Sequence, residues 1–394
     1  MLRVFNVGQG DSFELIPSEH CLLSETSLLI DCGQGSKNVF KALHNKKINL
    51  VLSHSHTDHI GGLSGLFDDS SSDVEINELW LPCYSDEIVA IANFLLSLKG
   101  VSKISSRSRA VLELQNTVQA YQLLQGILST KGCKKIRPLG KGVKICSHLS
   151  ILNPPFDPDL VLHLEIGTSE KYREIQQTND YEKIRSWVTS EDFNNKWIYL
   201  LAEGWNRSGP NLINNNSLSL QQRMDFIYGF ISKNESLIDD FVLSGDSRYF
   251  TKLANELKLT SNDASIVLKY KSSISHDDFS CLLTGDIGKK RLSDSLSGLK
   301  DEKIKIFKFP HHGSKNSLDK DVLKRLSPEI VIISHKNGIF GRQKDPHPNK
   351  KVVETLDKMN ILTAYTNDVI KNGNIIKNKS KRKPHEHVEM VDIW

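Results

Sequence analysis

Apolar and polar residues alternate in short runs near both ends of the chain, a pattern typical of half-buried β-strands. Turn residues such as Gly8-Gln9-Gly10-Asp11 separate the first runs and predict a β-meander. Strands are predicted at residues 2–7, 12–16, 27–30, 48–52, 78–81, 241–243, 265–270, 280–283, 304–309 and 329–334. A helical period of apolar residues predicts helices at residues 38–45, 85–98, 109–128, 319–326 and 349–359.

The two strand-rich ends flank a polar and weakly periodic middle. We therefore predict one α/β domain in two halves, residues 1–153 and 239–376, in which two mixed sheets pack face to face with helices outside. Residues 154–238 are interpreted as an insertion, because loop signals interrupt the helical pieces there. Residues 377–394 include a dense run of lysines and predict a basic tail, which is more often solvated than a binding arm.

Composition argues against several classes of protein. No run of about 18 apolar residues occurs, so no membrane span is predicted. The first residues lack the charged start and apolar stretch of a secretory signal, and we therefore expect a cytoplasmic protein. The six cysteines include no C-x-x-C pair, which favours buried free thiols over a disulfide framework or a zinc knuckle. A net charge of +4 neither supports nor excludes a nucleic-acid partner.

Four side chains that can bind metal follow the predicted strand at residues 48–52. They are His54, His56, Asp58 and His59. Alternate side chains of an extended backbone point the same way, so His54 and His56 can converge on one ion while Asp58 and His59 face a second. Imidazole with carboxylate suits zinc, and also manganese or iron. The run therefore predicts a site for two divalent metal ions, Zn²⁺ first and Mn²⁺ as the alternative.

The same run, followed by Gly61-Gly62, resembles the signature of the metallo-β-lactamase superfamily. Further blocks resemble, in the same order, the hydrolase domain attached to the DNA-uptake protein ComEC (Rec2). They are Asn6-Val7-Gly8-Gln9-Gly10-Asp11-Ser12, Leu29-Ile30-Asp31-Cys32-Gly33, Ser265-Ile266-Val267-Leu268, Leu283-Thr284-Gly285-Asp286, Phe309-Pro310-His311-His312-Gly313-Ser314, and the segment from Ser334 to His347-Pro348. The resemblance covers both ends of the chain and implies a metallo-β-lactamase αββα sandwich with a middle insertion.

The resemblance assigns further site residues. It implies that Asp286 bridges the two metals, and one carboxylate can give an oxygen to each ion. Asp246 is a rival for that role, although a tight turn is the preferred interpretation of its Gly-Asp pair. His312 is implied as the last metal ligand and His311 as a group facing substrate, because adjacent side chains point in different directions. His347 matches a His-Pro of the same domain and is expected to contact substrate, with a structural turn as the equal alternative.

Other residues around the ligands are given supporting roles. The loop from His54 to His59 is called the metal loop below. We expect it to be supported by Asp11, Asp31 and Ser53, because a metal-bound histidine usually donates a hydrogen bond from its second ring nitrogen to an acceptor behind it. Ser314 and Lys315 are predicted to bind substrate, and Lys308 and Arg342 are further candidates for phosphate contacts. The predicted catalytic residues are Asp58, His311 and His347.

One ligand of the superfamily lacks a clear counterpart. Many members carry another histidine between the first motif and the bridging aspartate, and this chain offers His148, His163 and His276 there, none in a convincing context. The ComEC-like pattern implies a first metal with a more open coordination. An open site leaves room for water and substrate.

These residues predict a di-metal hydrolase, and most directly a nuclease or phosphodiesterase in which a metal-bridging hydroxide attacks phosphorus. Its expected partner is nucleic acid or another phosphodiester. The same metals could instead hydrolyse a small ester, thioester, lactam or phosphorylcholine-type substrate, since loops decide what enters the pocket. A toxin or phage-defence component that binds partner proteins through the insertion is a second class, and a homo-oligomer is compatible with either. Binding without catalysis is disfavoured because every ligand of the main run is present.

Overall fold

The structure is a computed structural model that describes residues 1–17, 23, 25–35, 38–71, 73–133, 135–164, 218–274, 277–299, 303–335, 341–342, 345–366, 369–371, 374–376 and 390–393. Its strands are β1 (Leu2–Phe5), β2 (Phe13–Leu15), β3 (Ser27–Ile30), β4 (Lys47–Val51), β5 (Glu75–Pro82), β6 (Lys135–Leu139), β7 (Lys144–Cys146), β8 (Leu149–Asn153), β9 (Val267–Ile274), β10 (Asp277–Leu283), β11 (Ile306–Lys308), β12 (Ile330–Ile333), β13 (Gly341–Arg342), β14 (Asp345–Pro346), β15 (Leu362–Tyr365), β16 (Val369–Lys371), β17 (Asn374–Ile376) and β18 (Met390–Ile393).

The α-helices are α1 (Thr57–Ile60), α2 (Ser85–Ser97), α3 (Arg109–Thr130), α4 (Pro158–Leu162), α5 (Leu220–Lys233), α6 (Glu235–Ser244), α7 (Ser247–Asp263), α8 (Lys289–Leu296), α9 (Lys320–Leu326) and α10 (Lys350–Lys358). Short 3-10 helices span Val39–Ala42, Gly61–Phe67, Asp69–Ser71, Val101–Lys103, His311–Gly313 and Lys315–Ser317.

Two mixed sheets of seven strands form the centre of the fold. The first has the order β18-β1-β2-β3-β4-β5-β6, with antiparallel pairs from β18 to β3 and parallel pairs from β3 to β6. The second has the order β15-β12-β11-β10-β9-β8-β7, parallel from β15 to β10 and antiparallel beyond. Two-stranded sheets pair β13 with β14 and β16 with β17.

Three apolar layers show that the sheets pack face to face with helices outside. Leu28 and Ile30 of β3 meet residues of the second sheet such as Ile332, whereas Leu29 between them faces the outer helices. Ile332 likewise faces inward and its neighbour Ile333 packs in the outer layer with α8, α9 and α10. Strands buried on both faces need continuous apolar runs, which is what these segments have. The predicted α/β sandwich of two mixed sheets is therefore confirmed.

A helical cluster packs beside the sandwich. It contains residues of α2, α3, α4, α5, α6 and α7, and Tyr84 stacks on Phe226 with ring centroids 4.4 Å apart. Helix α5, which the sequence assigns to the insertion, thus packs against α2. Residues 165–217 of that segment lie outside the described residues, and the domain bounds stay a prediction.

One predicted strand is wrong. Residues 241–243 belong to α6, whose end is marked by Gly245 in the left-handed conformation (φ 68°). Phe241 is buried and Leu243 is 87% exposed, as expected for two faces of a helix. Three consecutive apolar residues are too few to show a period, so this run did not separate strand from helix.

The end of the chain also differs from the predicted tail. Residues 390–393 form β18 and pair antiparallel with β1, with Leu2 opposite Ile393. Residues 377–389 and 394 lie outside the described residues. Within the described chain, no helix has the length and apolar character needed to cross a membrane. Five of the six cysteines are described, and none of these five forms a disulfide bond within the described residues.

Candidate metal centre

The candidate site lies where loops from both sheets meet at the carboxyl ends of parallel strands. Asp58 lies in the segment that follows β4 in the first sheet, and Asp286 and His312 follow β10 and β11 in the second. Neighbouring parallel strands end at the same edge of a sheet, so the loops that follow them are brought together. The packing of the two sheets places Nε2 of His312 3.1 Å from Oδ2 of Asp58.

Four residues form a group that could hold a metal ion: Asp58, His59, Asp286 and His312. Each offers one ligand atom, and these atoms all lie within 4.8 Å of one another. Asp286 occupies the centre, with Oδ1 at 3.4 Å from Nε2 of His59 and Oδ2 at 3.4 Å from Nε2 of His312. One carboxylate therefore faces both imidazoles. Its role as a bridge between two metal ions stays a prediction.

The chemistry of this group fits a divalent cation. Nε2 of His59 is buried and makes no hydrogen bond among the described residues, which is costly for a polar atom unless a ligand satisfies it. Two imidazole nitrogens and two carboxylates are a suitable set for zinc or manganese. Asp58 is 25% exposed while the other three are nearly inaccessible, so the group opens to solvent on the Asp58 side.

The charges within this group shift the pKa values of its four members. Burial acts to lower the pKa of His59, but the carboxylates of Asp286 and Asp31 hold it well above its usual value. Burial is likewise outweighed at His312, where Asp286 and Asp58 raise the pKa to about 9. The same contacts keep the pKa of Asp58 and of Asp286 well below the usual value despite burial. The pocket thus stabilises positive charge between two carboxylates, as a cation site requires.

His54 and His56 lie next to the four-residue group. Nε2 of His54 is 2.9 Å from Nδ1 of His56, and the rings of His54 and His59 are 4.1 Å apart. Burial lowers the pKa of both His54 and His56 well below the usual value, which keeps them neutral, the form that binds metal. Their role as ligands of a first metal stays a prediction.

Asp31 and Ser53 support the metal loop from behind. Oδ2 of Asp31 lies 2.7 Å from Nδ1 of His59, and the backbone N–H of Ser53 donates to Oδ1 at 2.7 Å. The Ser53 hydroxyl donates to Oδ2 of Asp31 at 2.6 Å and lies 3.0 Å from Nδ1 of His54. These contacts turn Nε2 of His59 toward Asp286 and are of the kind that orients imidazoles in metal sites.

Lys308 does not lie where a phosphate contact would. Its side chain is completely buried, forms an ion pair with Asp11 and donates to the carbonyl of Gly285 at 2.6 Å. Its Nζ also lies 3.5 Å from Oδ1 of Asp286. Inside the protein this ammonium offsets the charge of Asp11, and no route to substrate is left for it.

Gly10 shows why the opening block of the chain belongs to the site. The N–H of Asp11 donates to the carbonyl of Asp58 at 3.3 Å, and Gly10 has φ 115°. A Cβ at Gly10 would overlap that same carbonyl oxygen. Only glycine allows this approach, so the turn after β1 directly shapes the segment that carries Asp58.

His311 and His312 are both held in left-handed backbone conformations, with φ 51° each. The turn directs them apart, with ring centroids 6.2 Å from one another, and His312 binds the carbonyl of Ser334 through Nδ1 at 3.0 Å. The ring of His311 instead lies 5.2 Å from that of His347, which is therefore beside the site. Non-glycine residues adopt this conformation at a cost, which is often found at functional sites.

The three remaining residues predicted to contact substrate lie in different surroundings. Ser314 is buried and its hydroxyl accepts the N–H of Asn316, so it stabilises the turn that follows the histidines. Lys315 is exposed in that turn. Arg342 lies in β13, and its side chain is outside the described part of the structure.

The alternative acid and the extra histidines lie elsewhere in the fold. Asp246 is the N-cap of α7, where it accepts the N–H of Arg248, so the preferred interpretation as a turn residue is confirmed. His148 contacts Ser147 and His163 contacts Asp263, and neither belongs to a group that could hold a metal within the described residues. His276 lies outside the described residues.

Lys258 lies near the site but was not among the residues predicted from the sequence. The Ser55 hydroxyl lies 3.1 Å from that of Ser261, which places α7 against the metal loop, and Lys258 lies one turn earlier on α7. Asn116 of α3 donates to Thr57 at 3.1 Å, and Lys258 approaches Glu113 of α3 at 3.8 Å.

Lys258 is therefore a cation at the rim of the site. Its side chain is 31% exposed, and after burial its charge is the next cause that lowers the pKa of His56. The sequence contained no signal for it, because a lysine on an amphipathic helix is usually just solvated.

No family model matches the chain. The chain is similar to ComE operon protein 3 of Bacillus subtilis (strain 168), with 30% identity over 115 residues. The match covers 29% of this chain and only 13% of that protein. Part of the chain is therefore similar to this protein, and the chain carries a His/Asp group that could hold a metal ion, which is compatible with a metal-dependent hydrolase.

Proposed function

We propose that the protein is a metal-dependent phosphodiesterase, most directly a nuclease, acting at the group of Asp58, His59, Asp286 and His312. The observation that carries this proposal is the central place of Asp286 between two buried imidazoles, beside the neutral pair His54 and His56. Two divalent ions, Zn²⁺ or Mn²⁺, would be held by these six residues. Bound there, they would lower the pKa of water and neutralise charge on the phosphate during in-line displacement.

The residues of the chain have separate roles in this proposal. Asp286 lies between His59 and His312 and would fix the spacing of the two metal ions, and Asp58 lies on the side open to solvent. His311 and His347 stand together beside the ligands, and a pair of imidazoles there can hold or move a proton at the leaving oxygen. Lys258 lies at the rim and Lys315 is exposed in the turn after the histidines, so both can contact phosphate oxygens.

Similarity to a ComE operon protein favours nucleic acid over a small ester or lactam, because the motifs of this chain also resemble the hydrolase domain attached to a DNA-uptake protein. A toxin or defence role through the insertion has no observation in its favour among the described residues.

The test is cleavage of a substrate panel by purified protein with Zn²⁺ or Mn²⁺. The panel contains linear DNA, circular DNA, RNA and bis-p-nitrophenyl phosphate, each with and without chelator. We expect metal-dependent cleavage that Asp58→Ala abolishes and that Asp239→Ala, a change at an exposed carboxylate on α6, leaves unchanged. No cleavage of any phosphodiester, or equal cleavage by Asp58→Ala, would contradict the proposal.

A further inference from the structure

A groove of about 750 Å³ runs between α9 and α10 on the outer face of the second sheet. Five lysines line it, against a single acidic residue, Glu354. The lysines are Lys320 and Lys324 of α9 and Lys350, Lys351 and Lys358 of α10. The lining residues, five lysines and one glutamate, carry a net formal charge of +4, which is as large as that of the whole chain.

The groove begins at the loops that carry the candidate site. Asn349, which lines the groove, donates its backbone N–H to the carbonyl of Gly313 at 2.9 Å. It follows His347-Pro348, and the ring of His347 lies 5.2 Å from that of His311. Helix α10 therefore starts beside the site histidines, and α9 begins at Lys320 in the segment that follows His312.

The charges in the groove are accessible. Lys324 approaches Asp321 at 3.9 Å, but the two side chains are 70% and 94% exposed. Lys350 approaches Glu354 at 3.6 Å, with 89% and 51% exposed. Ion pairs this exposed contribute little energy, so they do not prevent the lysines from binding another anion.

The spacing of the lysines fits a repeating anion. Positions four apart on a helix lie on one face about 6 Å apart, so Lys350 and Lys358 are separated by about 12 Å along α10, with Glu354 between them. Phosphates of one strand of duplex DNA follow each other at about 3.4 Å along the axis, so this length faces about four of them. Lysines act as flexible point charges, which suits a phosphate backbone without selecting a sequence.

We infer that the lysine groove between α9 and α10 binds the sugar–phosphate backbone of a nucleic acid and leads it to the metal site. The inference rests on the proposed phosphodiesterase function and deepens it, because it makes the substrate a polymer rather than a small diester. Contacts outside the site would then raise affinity for long substrates and add a dependence on salt.

The test compares two triple variants of the full chain. The groove variant carries Lys324→Gln, Lys351→Gln and Lys358→Gln, and the control carries Lys99→Gln, Lys103→Gln and Lys144→Gln. All six lysines are exposed, and both variants lose the same formal charge. Binding of a short fluorescent DNA duplex is measured by anisotropy in the presence of chelator, over a series of salt concentrations. Hydrolysis of bis-p-nitrophenyl phosphate with metal is measured separately.

We expect the groove variant to bind the duplex about tenfold more weakly or worse, and its log–log salt slope to fall by about 2 to 3, about one for each lost phosphate contact. The control variant should bind like the unmodified protein. Turnover of the small diester should be equal in all three proteins, because that substrate is too short to reach the groove.

Binding of both variants to anionic lipid vesicles is measured in parallel. Three outcomes would overturn the inference. They are unchanged duplex binding by the groove variant, an equal loss of duplex binding in both variants, and a loss of vesicle binding with duplex binding intact. Failure of the proposed function has a different signature. In that case the small diester is not cleaved by any of the proteins, while the difference in duplex binding between the two variants persists.

Discussion

Nδ1 of His59 lies 2.7 Å from Oδ2 of Asp31, which follows β3 and has a left-handed conformation with φ 59°. Ser53 holds the same carboxylate through its N–H and its hydroxyl. The imidazole therefore has a fixed orientation, and its other nitrogen points toward Asp286 at 3.4 Å.

Loss of this support should weaken metal binding. We expect Asp31→Ala to lower the affinity for Zn²⁺ about 10- to 100-fold, since residues that orient metal-binding histidines have effects of that size. Competition with a chromogenic chelator measures the change. Asp31→Asn keeps an oxygen that can accept from Ser53 or His59 and should restore part of the affinity, whereas Asp239→Ala should have no effect. Unaltered affinity in Asp31→Ala would mean that Asp31 does not position His59.

Removal of the buried ammonium should destabilise the metal-free protein. We expect Lys308→Met to lower the free energy of unfolding by about 3 kcal/mol or more, because Asp11 is left buried without its counter-charge. Added Zn²⁺ should narrow the difference, because it supplies positive charge beside Asp286. Denaturant unfolding with and without metal measures both effects. Lys303→Met, at an exposed lysine, is the matched control, and equal stability of the two variants would contradict the expectation.

Gly10 should not tolerate a side chain. Gly10→Ala combines a positive φ with overlap of the Asp58 carbonyl, so we expect both lower stability and weaker metal binding. Gly142→Ala is the control, because Gly142 has φ 90° and open space around it, and there we expect only the strain of about 1–2 kcal/mol. Thermal unfolding and metal titration of both variants measure the difference. Equal effects of the two changes on metal affinity would rule out the overlap as the cause.

Arg223 should connect α5 to α2 through buried charges. It forms ion pairs with Asp86 and Glu87, which are nearly inaccessible. We expect Arg223→Ala to cost about 3–5 kcal/mol of unfolding free energy at neutral pH, because both carboxylates lose their partner. Arg248→Ala, at an arginine that is 85% exposed and paired with Asp246, should leave the free energy of unfolding almost unchanged.

The loss of unfolding free energy in Arg223→Ala should depend on pH. Burial raises the pKa of the Asp86 and Glu87 carboxyls above their unfolded values. A group with a raised pKa in the folded state takes up a proton there first as the pH falls, which favours the folded form. The charge of Arg223 opposes this rise in the unmodified protein, so the pKa of both carboxyls is higher still in Arg223→Ala. Its deficit should therefore shrink as the pH is lowered from neutral into the carboxyl range. A deficit that grows with acid, measured by urea unfolding, would reverse the expected sign.

Lys258 should affect substrate binding more than turnover. We expect Lys258→Ala to raise the KM for a phosphodiester several-fold with little change in kcat, since it removes a charge at the rim and no proposed ligand. Lys252→Ala, a change on the same helix at an exposed lysine, is the control. An equal fall of kcat in Lys258→Ala would indicate damage to the metal loop instead.

The sequence by itself determined the parts of this protein that depend on neighbours along the chain. Apolar runs such as Ser27–Ile30 and Ile330–Ile333 specified buried strands, since both faces of each are covered. The spacing of His54, His56, Asp58 and His59 indicated a metal site, because metal-binding side chains this dense within one loop are seldom mere surface decoration. The segment around Gly10, residues 6–12, was also assigned to the site from the sequence alone.

The tertiary structure decided what depends on partners far along the chain. Asp286 lies between His59 and His312 while Asp246 begins a helix, although both follow a Ser or Thr and a glycine. Lys308 is buried against Asp11, and Lys258 reaches the site only because α7 packs on the metal loop. Local patterns report burial and backbone geometry, but the partner of a charge is set by the packing of the two sheets, which no local pattern contains.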